Sequence, residues 1–335
     1  MSVDPLLAIR GLTVSFAGRS GTLLPAVRGV DLTVGQGEVL GLVGESGSGK
    51  SATMMAVMGL LPAAAMAGGS ALLRGEELIG RPERFLRKVR GKRIGMIFQD
   101  PMTALDPLLT VGDQIAEAIR VHDRSTGRHA AFERAVELLS AVSIPSPRQR
   151  ARQYPHEFSG GMRQRVVIAT AIANDPELLI ADEPTTALDV TIQAQIMELL
   201  QRLCAERRMG LVLVTHDLGV VAGVADDVAV MYAGRVVEHG RVGDTLREPR
   251  HPYTRSLLAS LPRVDRRVQM LTAIAGAPPS LGALPSGCAF HPRCPLSLEI
   301  CRHQDPPARE VGHSRAACHR AEDVPALMPL HGAAL

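Results

Sequence analysis

The eight residues Gly44-Glu45-Ser46-Gly47-Ser48-Gly49-Lys50-Ser51 constrain this chain more than any other stretch. They follow the apolar run EVLGLV and lead into KSATMMAVMGLL, which reads as a helix. Strand, glycine-rich turn and helix in that order fit G-x-x-x-x-G-K-[ST], the pattern of a phosphate-binding loop. Glycines let backbone N–H groups wrap an anion, and the helix start adds a favourable dipole. Gly44, Ser46, Gly47, Gly49 and Ala52 are the positions expected along the phosphates. Lys50 is expected to neutralise β- and γ-oxygens, and Ser51 to offer a hydroxyl to Mg2+.

Downstream, ELLIADEP, GLVLVTHD and DDVAVMYAGRVVEHG read as strands, with the helical IQAQIMELLQRLCAER between the first two. Near-continuous aliphatic strands separated by helices predict an α/β fold with a mostly parallel sheet covered on both faces. LLIADEP puts Asp182 at a strand tip, where it can orient Mg2+ directly or through water. Glu183, beside it, is placed to polarise an attacking water. From Pro101 to Arg165 the pattern turns helical, in VGDQIAEAIRVH and HAAFERAVELLSAV, with Pro/Arg-rich joints. After about Arg250 proline rises and periodicity fades, which predicts an extension with little regular structure.

Composition narrows the class. Hydrophobic residues at 46% and charged residues at 21% are ordinary for a globular chain. Aromatics are 3% with no Trp, so the core must be aliphatic. A net charge of +3 argues against a nucleic-acid surface, and the basic run from Arg81 to Arg93 reads as a solvated helix face. The N-terminus lacks a basic segment followed by an apolar one, so no signal peptide is expected. The longest apolar stretch, GLLPAAAMAGG, is too short and too rich in Pro and Gly to span ~30 Å of hydrocarbon. The expected setting is cytosolic, where structural disulfides are disfavoured.

With the loop and acidic strand in place, HEFSGGMRQRVVIATAIANDPELLIADEPTTALD resembles the signature region of ABC-type ATPases. Gln99 resembles that family's Q-loop, Ala187-Leu188-Asp189 its D-loop and His216 its switch histidine. Phe16 lies where the family stacks an aromatic on adenine. The resemblance implies a P-loop NTPase cassette with a RecA-like core sheet, an antiparallel β edge and a helical subdomain. The expected segments are 1–98 (core and β subdomain), 99–165 (helical), 166–248 (core) and 249–335 (irregular extension). It also implies that ATP lies between the phosphate-binding loop of one ATPase subunit and Ser159-Gly160-Gly161 of another. Gln99 would touch Mg2+ or water, His216 would hold the γ-phosphate, and Asp189 would lie at the shared site. Phe158 and Met162 depart from the family's commoner Leu and Gln. Methionine cannot donate a hydrogen bond there.

The helical insert shows no sustained heptads, unlike DNA-repair relatives, and there is a single phosphate loop, unlike two-cassette translation ATPases. EPRHPYTRSLLASLP and PSGCAFHPRCP resemble the ATP-binding subunits of oligopeptide/dipeptide importers, a group that includes nickel and glutathione importers. That implies two membrane-spanning subunits, a second related ATPase subunit (with a second copy of this chain as the alternative), an extracytoplasmic binding protein, and a place at the cytoplasmic face of the inner membrane. The alternative is a soluble ABC-type switch acting on a non-membrane partner.

Four of the five cysteines, Cys288, Cys294, Cys301 and Cys318, crowd the extension, with 5, 6 and 16 residues between them. No pair forms the C-x2–4-C knuckle usual in zinc sites. Wide spacing is compatible with a [4Fe–4S] cluster held by four thiolates, and resemblance to peptide-importer subunits favours it. Zinc, with His291, His313 or His319 as substitute ligands, is the runner-up, ahead of unliganded thiols. Cys204, in LLQRLCAER, reads as a buried helix residue.

Overall fold

In a computed structural model the described residues are 4–18, 21–186, 188–260 and 274–329. They gather into two compact units that interleave along the chain. One holds the chain up to Leu6, Val34–Glu38 and Arg81–Leu213; the other holds Leu7–Thr33, Val39–Gly80 and the chain from Val214 onward.

In the first unit the strands Ile94–Ile97 and Leu178–Asp182 pair in parallel, Ile94 opposite Leu178 and Ile97 opposite Ala181. Every residue of Leu178–Asp182 is buried, as a strand covered on both faces requires. The helices Val111–His122, Arg128–Ala141, Gly160–Ala171 and Val190–Arg207 supply the aliphatic core, with Ile115, Leu138, Val166 and Leu200 each at most 1% exposed. Thr110 starts the first of these by accepting a hydrogen bond from Asp113 N–H, and Asp113 adds the acidic first turn that a helix dipole favours. Cys204 is 2% exposed in the last, and burial pushes its thiol pKa up to about 12.

The second unit carries a four-stranded sheet in the order Leu23–Val34, Leu7–Ala17, Ala65–Leu73 and Glu76–Glu77. The pairing of Leu7–Ala17 with Ala65–Leu73 is antiparallel. Beside it in sequence, Val39–Val43 pairs in parallel with Asp227–Tyr232, which pairs antiparallel with Arg235–Arg241. The parallel pairings and this antiparallel edge bear out the expected fold class.

The extension holds more regular structure than its composition suggests. Helix Pro252–Ala259 follows an N-cap at His251. Arg309–Val311 and Ser314–Ala316 form a hairpin whose second strand pairs with Arg235–Arg241, Glu238 opposite Ala316. Strands of three residues are too short for a period-two signal, so only the turn at Gly312, with φ +62°, marked them. Their register is held by tertiary bonds to Glu238. That carboxylate accepts from Arg250 N–H at 2.6 Å, His251 N–H at 3.0 Å and Ser314 Oγ at 3.2 Å.

Candidate nucleotide site

The phosphate-binding loop lies in the second unit, between the buried strand Val39–Val43 and helix Lys50–Val57. Its backbone needs glycine at two places above all. Gly44 has φ +157°, and a Cβ there would stand 2.2 Å from the Met231 carbonyl oxygen. Gly49, the helix N-cap, has φ +102°, and a Cβ would meet Ala26 O at 2.6 Å. Ser46 and Gly47 are exposed at the loop tip, Ser51 is exposed on the first turn, and Ala52 is half-buried beside it. Lys50 is 5% exposed, and its Nζ donates to Gly44 O at 2.7 Å and Glu45 O at 3.1 Å. A buried cation in a glycine-rich loop at a helix start suits the binding of anionic oxygens.

Two other expected residues belong to this unit. Phe16 is half-buried near the end of its strand, opposite Ala65. His216 is exposed just past strand Gly210–Thr215, and Asp217 caps the next helix by accepting from Gly219 and Val220 N–H.

The first unit carries the acidic residues and the signature. Asp182 ends its strand at 7% exposure. Glu183 follows with φ +47°, a left-handed conformation that non-glycine residues rarely adopt. Gln99 Nε2 donates to Glu183 Oε2 at 2.9 Å, and Thr186 Oγ1 donates to the same oxygen at 3.0 Å. Glu183 and Gln99, 84 residues apart in sequence, are thus brought together.

Ser159 is the N-cap of helix Gly160–Ala171 and accepts from Met162 N–H. Its hydroxyl and Gly160 are exposed, leaving a helix start open to an anion. Gly161 is required by packing: a Cβ there would lie 2.7 Å from Ile192. Ile192 belongs to the helix that Asp189 caps by accepting its N–H at 3.0 Å. Signature and D-loop are therefore packed together; Ala187 lies outside the described residues. Phe158 is 2% exposed, an apolar core substitute for leucine, and Met162 contributes its backbone N–H to the cap.

All four clustered cysteines line one cavity of the second unit, together with His291 and His319. Burial raises the pKa of Cys288, Cys294 (to about 12) and Cys318 (to about 11), and neighbouring thiolates add to each. Backbone N–H groups two residues on answer these sulfurs: Phe290 for Cys288, Leu296 for Cys294, and Arg320 for Cys318 at 3.4 Å. Thiols that raise one another's pKa and accept N–H bonds suit a shared cationic centre. Among the described residues, however, no group of three or more His, Cys, Asp or Glu is arranged to hold a metal ion. His291 Nδ1 and His319 Nε2 each face a backbone carbonyl, of Cys288 and Gln304, so one ring nitrogen of each is already engaged.

Two residues that the sequence did not single out reach the phosphate loop. Arg293 makes a two-pronged ion pair with the Glu45 carboxylate, and Tyr253 Oη accepts from Glu45 N–H at 2.9 Å. No local signal marks either as a loop partner, because they lie more than 200 residues away in sequence.

Comparison with known proteins agrees with this geometry. The ABC transporter family matches residues 27–186, and the oligopeptide/dipeptide transporter C-terminal region matches residues 237–301. A putative peptide import ATP-binding protein of Brucella melitensis is 51% identical over 340 residues, covering 97% of this chain and all of its own length. The oligopeptide transport ATP-binding protein OppD of Salmonella typhimurium is 49% identical, covering 95% of each chain. OppD of Mycobacterium tuberculosis is 54% identical over 96% of this chain, which spans about half (52%) of that relative's length. Among solved structures, the dimeric cassette MJ0796 superposes with a TM-score of 0.63 at 29% identity, covering 70% of this chain and 98% of its own. The same cassette in a post-hydrolysis state with ADP and phosphate matches as closely, at 28% identity. From its nucleotide-site residues to its cysteine-bearing extension, this chain belongs to the ABC transporter ATP-binding proteins, in their oligopeptide/dipeptide group.

Proposed function

We propose that this chain hydrolyses ATP to power import of di- or oligopeptides through two membrane-spanning partner subunits, paired with a second, related ATPase subunit. The observation that carries it is the match of the extension to the oligopeptide/dipeptide transporter region, joined to full-length relatives named for peptide import. Among the described residues no helix is long and apolar enough to cross a membrane, which suits a chain that works from the membrane's inner face through partners. In segment 99–165, Leu108 is 81% exposed and Leu109 40%, apolar surface available to such a partner.

In this reading Gly44, Ser46, Gly47, Gly49, Lys50, Ser51 and Ala52 hold the phosphates, and Phe16 stacks on adenine. Ser51, Asp182 and Gln99 serve Mg2+, which neutralises phosphate charge. Glu183 takes the proton of the attacking water, and His216 steadies the γ-phosphate. Ser159, Gly160, Gly161 and Asp189 meet the nucleotide held by the partner subunit, so ATP joins the pair and its hydrolysis releases it. The four cysteines of the extension hold a [4Fe–4S] cluster, a cationic group that relieves mutual repulsion among their thiolates and staples the segment. Zinc is the weaker choice, given the missing knuckle and the engaged histidines.

The test is peptide uptake by cells that lack the chain and are complemented with wild type or Lys50→Ala. Wild type should restore uptake of a labelled tripeptide and Lys50→Ala should not. Uptake equal in both, or absent with wild type, overturns the reading.

A further inference from the structure

Glu45 is the one acidic residue in the phosphate-binding loop, two places after the strand that feeds it. A free carboxylate in a loop shaped for phosphate repels the ligand that the loop exists to bind. This one is not free. Arg293 Nη1 lies 2.7 Å from one carboxylate oxygen and Nη2 2.9 Å from the other, a bidentate pair. The guanidinium is itself fixed. Its side chain is 5% exposed, its Nε donates to Ala275 O at 3.0 Å, and Nη1 donates to Tyr232 Oη at 3.3 Å. The Tyr232 and Phe290 rings stand 5.8 and 6.0 Å from its central carbon. Glu45 is held at its backbone too, by Tyr253 Oη on the N–H and Lys50 Nζ on the carbonyl.

We propose that Arg293, from the C-terminal extension, is a positioning residue of the nucleotide site: it neutralises Glu45 and fixes the phosphate loop in its binding shape. The proposal rests on the nucleotide-site reading and deepens it. The extension then does more than occupy the edge of the fold, because the ATP loop is complete only with a residue that lies 248 positions away. Arg293 closes the turn His291–Arg293, between Cys288 and Cys294, so whatever braces those cysteines also braces the loop. Lysine would keep the charge but lose the fork that matches a carboxylate.

The experiment is equilibrium titration of the full chain with a fluorescent ATP analogue at constant Mg2+, using wild type, Arg293→Gln, Glu45→Gln and the double variant. Losing a charge-assisted pair and exposing Glu45 should weaken binding about tenfold in Arg293→Gln. Removing the offending charge as well should bring the double variant back to within about threefold of wild type. In steady state the KM for ATP should rise in Arg293→Gln while kcat changes by less than about twofold. Wild-type affinity in Arg293→Gln overturns the proposal, and so does a double variant as weak as that single one. If thermal melting shows that Arg293→Gln does not fold, Arg293→Lys decides: an about threefold loss supports the fork, and wild-type affinity overturns it. Lys50→Ala, run alongside, separates the two levels. Should it bind like wild type, the nucleotide-site reading itself has failed and this proposal goes with it.

Discussion

Glu183 shows what a single backbone angle contributes. Its φ of +47° holds a non-glycine residue in a conformation that costs about 1 kcal/mol, and the turn after Asp182 keeps it there. The carboxylate is thereby aimed at Gln99 and Thr186, both of which donate to its Oε2. Glutamine at this position keeps the shape and an acceptor oxygen but cannot take a proton. Glu183→Gln should bind ATP with affinity near that of wild type and hydrolyse it about 100- to 10,000-fold more slowly. Phosphate release under single-turnover conditions reads this directly; a normal rate would remove Glu183 from the chemistry. The place of Asp182 and Glu183 at the end of a buried strand was legible, because the apolar run before them reads as a strand covered on both faces. The Gln99–Glu183 bond was not, since pairing across 84 residues carries no local sign.

At the scale of elements, the joint between strand Arg235–Arg241 and the extension turns on two buried titratable groups with opposite behaviour. Desolvation raises the Glu238 pKa from 4.5 to about 7, against hydrogen bonds that lower it. Desolvation lowers that of His251 from 6.5 to about 3. A carboxyl raised in the folded state binds its proton more tightly there than in the unfolded chain, so its contribution is full below 4.5 and is lost as pH rises through 7. A histidine lowered in the folded state contributes above 6.5 and loses that contribution as pH falls toward 3. The two slopes oppose one another between 4.5 and 6.5, and above 6.5 only the Glu238 slope remains. Wild type should therefore lose thermal stability between pH 6 and pH 8, and Glu238→Gln should lose less, by about 1 kcal/mol. Calorimetry at those two pH values checks it; equal losses would place the pH dependence elsewhere. Glu238 itself reads as one more polar residue in a half-polar strand, and only the hairpin folding over it makes it buried.

The second unit holds both the phosphate-binding loop and the extension, and the four cysteines of the extension line one cavity within it. Protein purified without oxygen should carry about four irons and four sulfides per chain, with a visible absorption that Cys294→Ser diminishes. One zinc without sulfide would instead make the extension a zinc-stapled segment and leave the nucleotide site untouched. The motifs were readable because phosphate chemistry imposes them locally. Gly44, Gly49, Lys50 and Ser51 must be close in sequence to wrap one anion, and the apolar run before Asp182 marks a buried strand. The alternation of aliphatic strands and helices likewise specified a mostly parallel α/β sheet, because each strand's burial on both faces is written in its own composition. What only the tertiary structure decided are the long-range partnerships: Arg293 on Glu45, Gln99 on Glu183, Ile192 against Gly161, and the hairpin registered on Glu238. Each depends on where distant segments come to rest, and chain closure over tens to hundreds of residues leaves no periodic trace in the sequence.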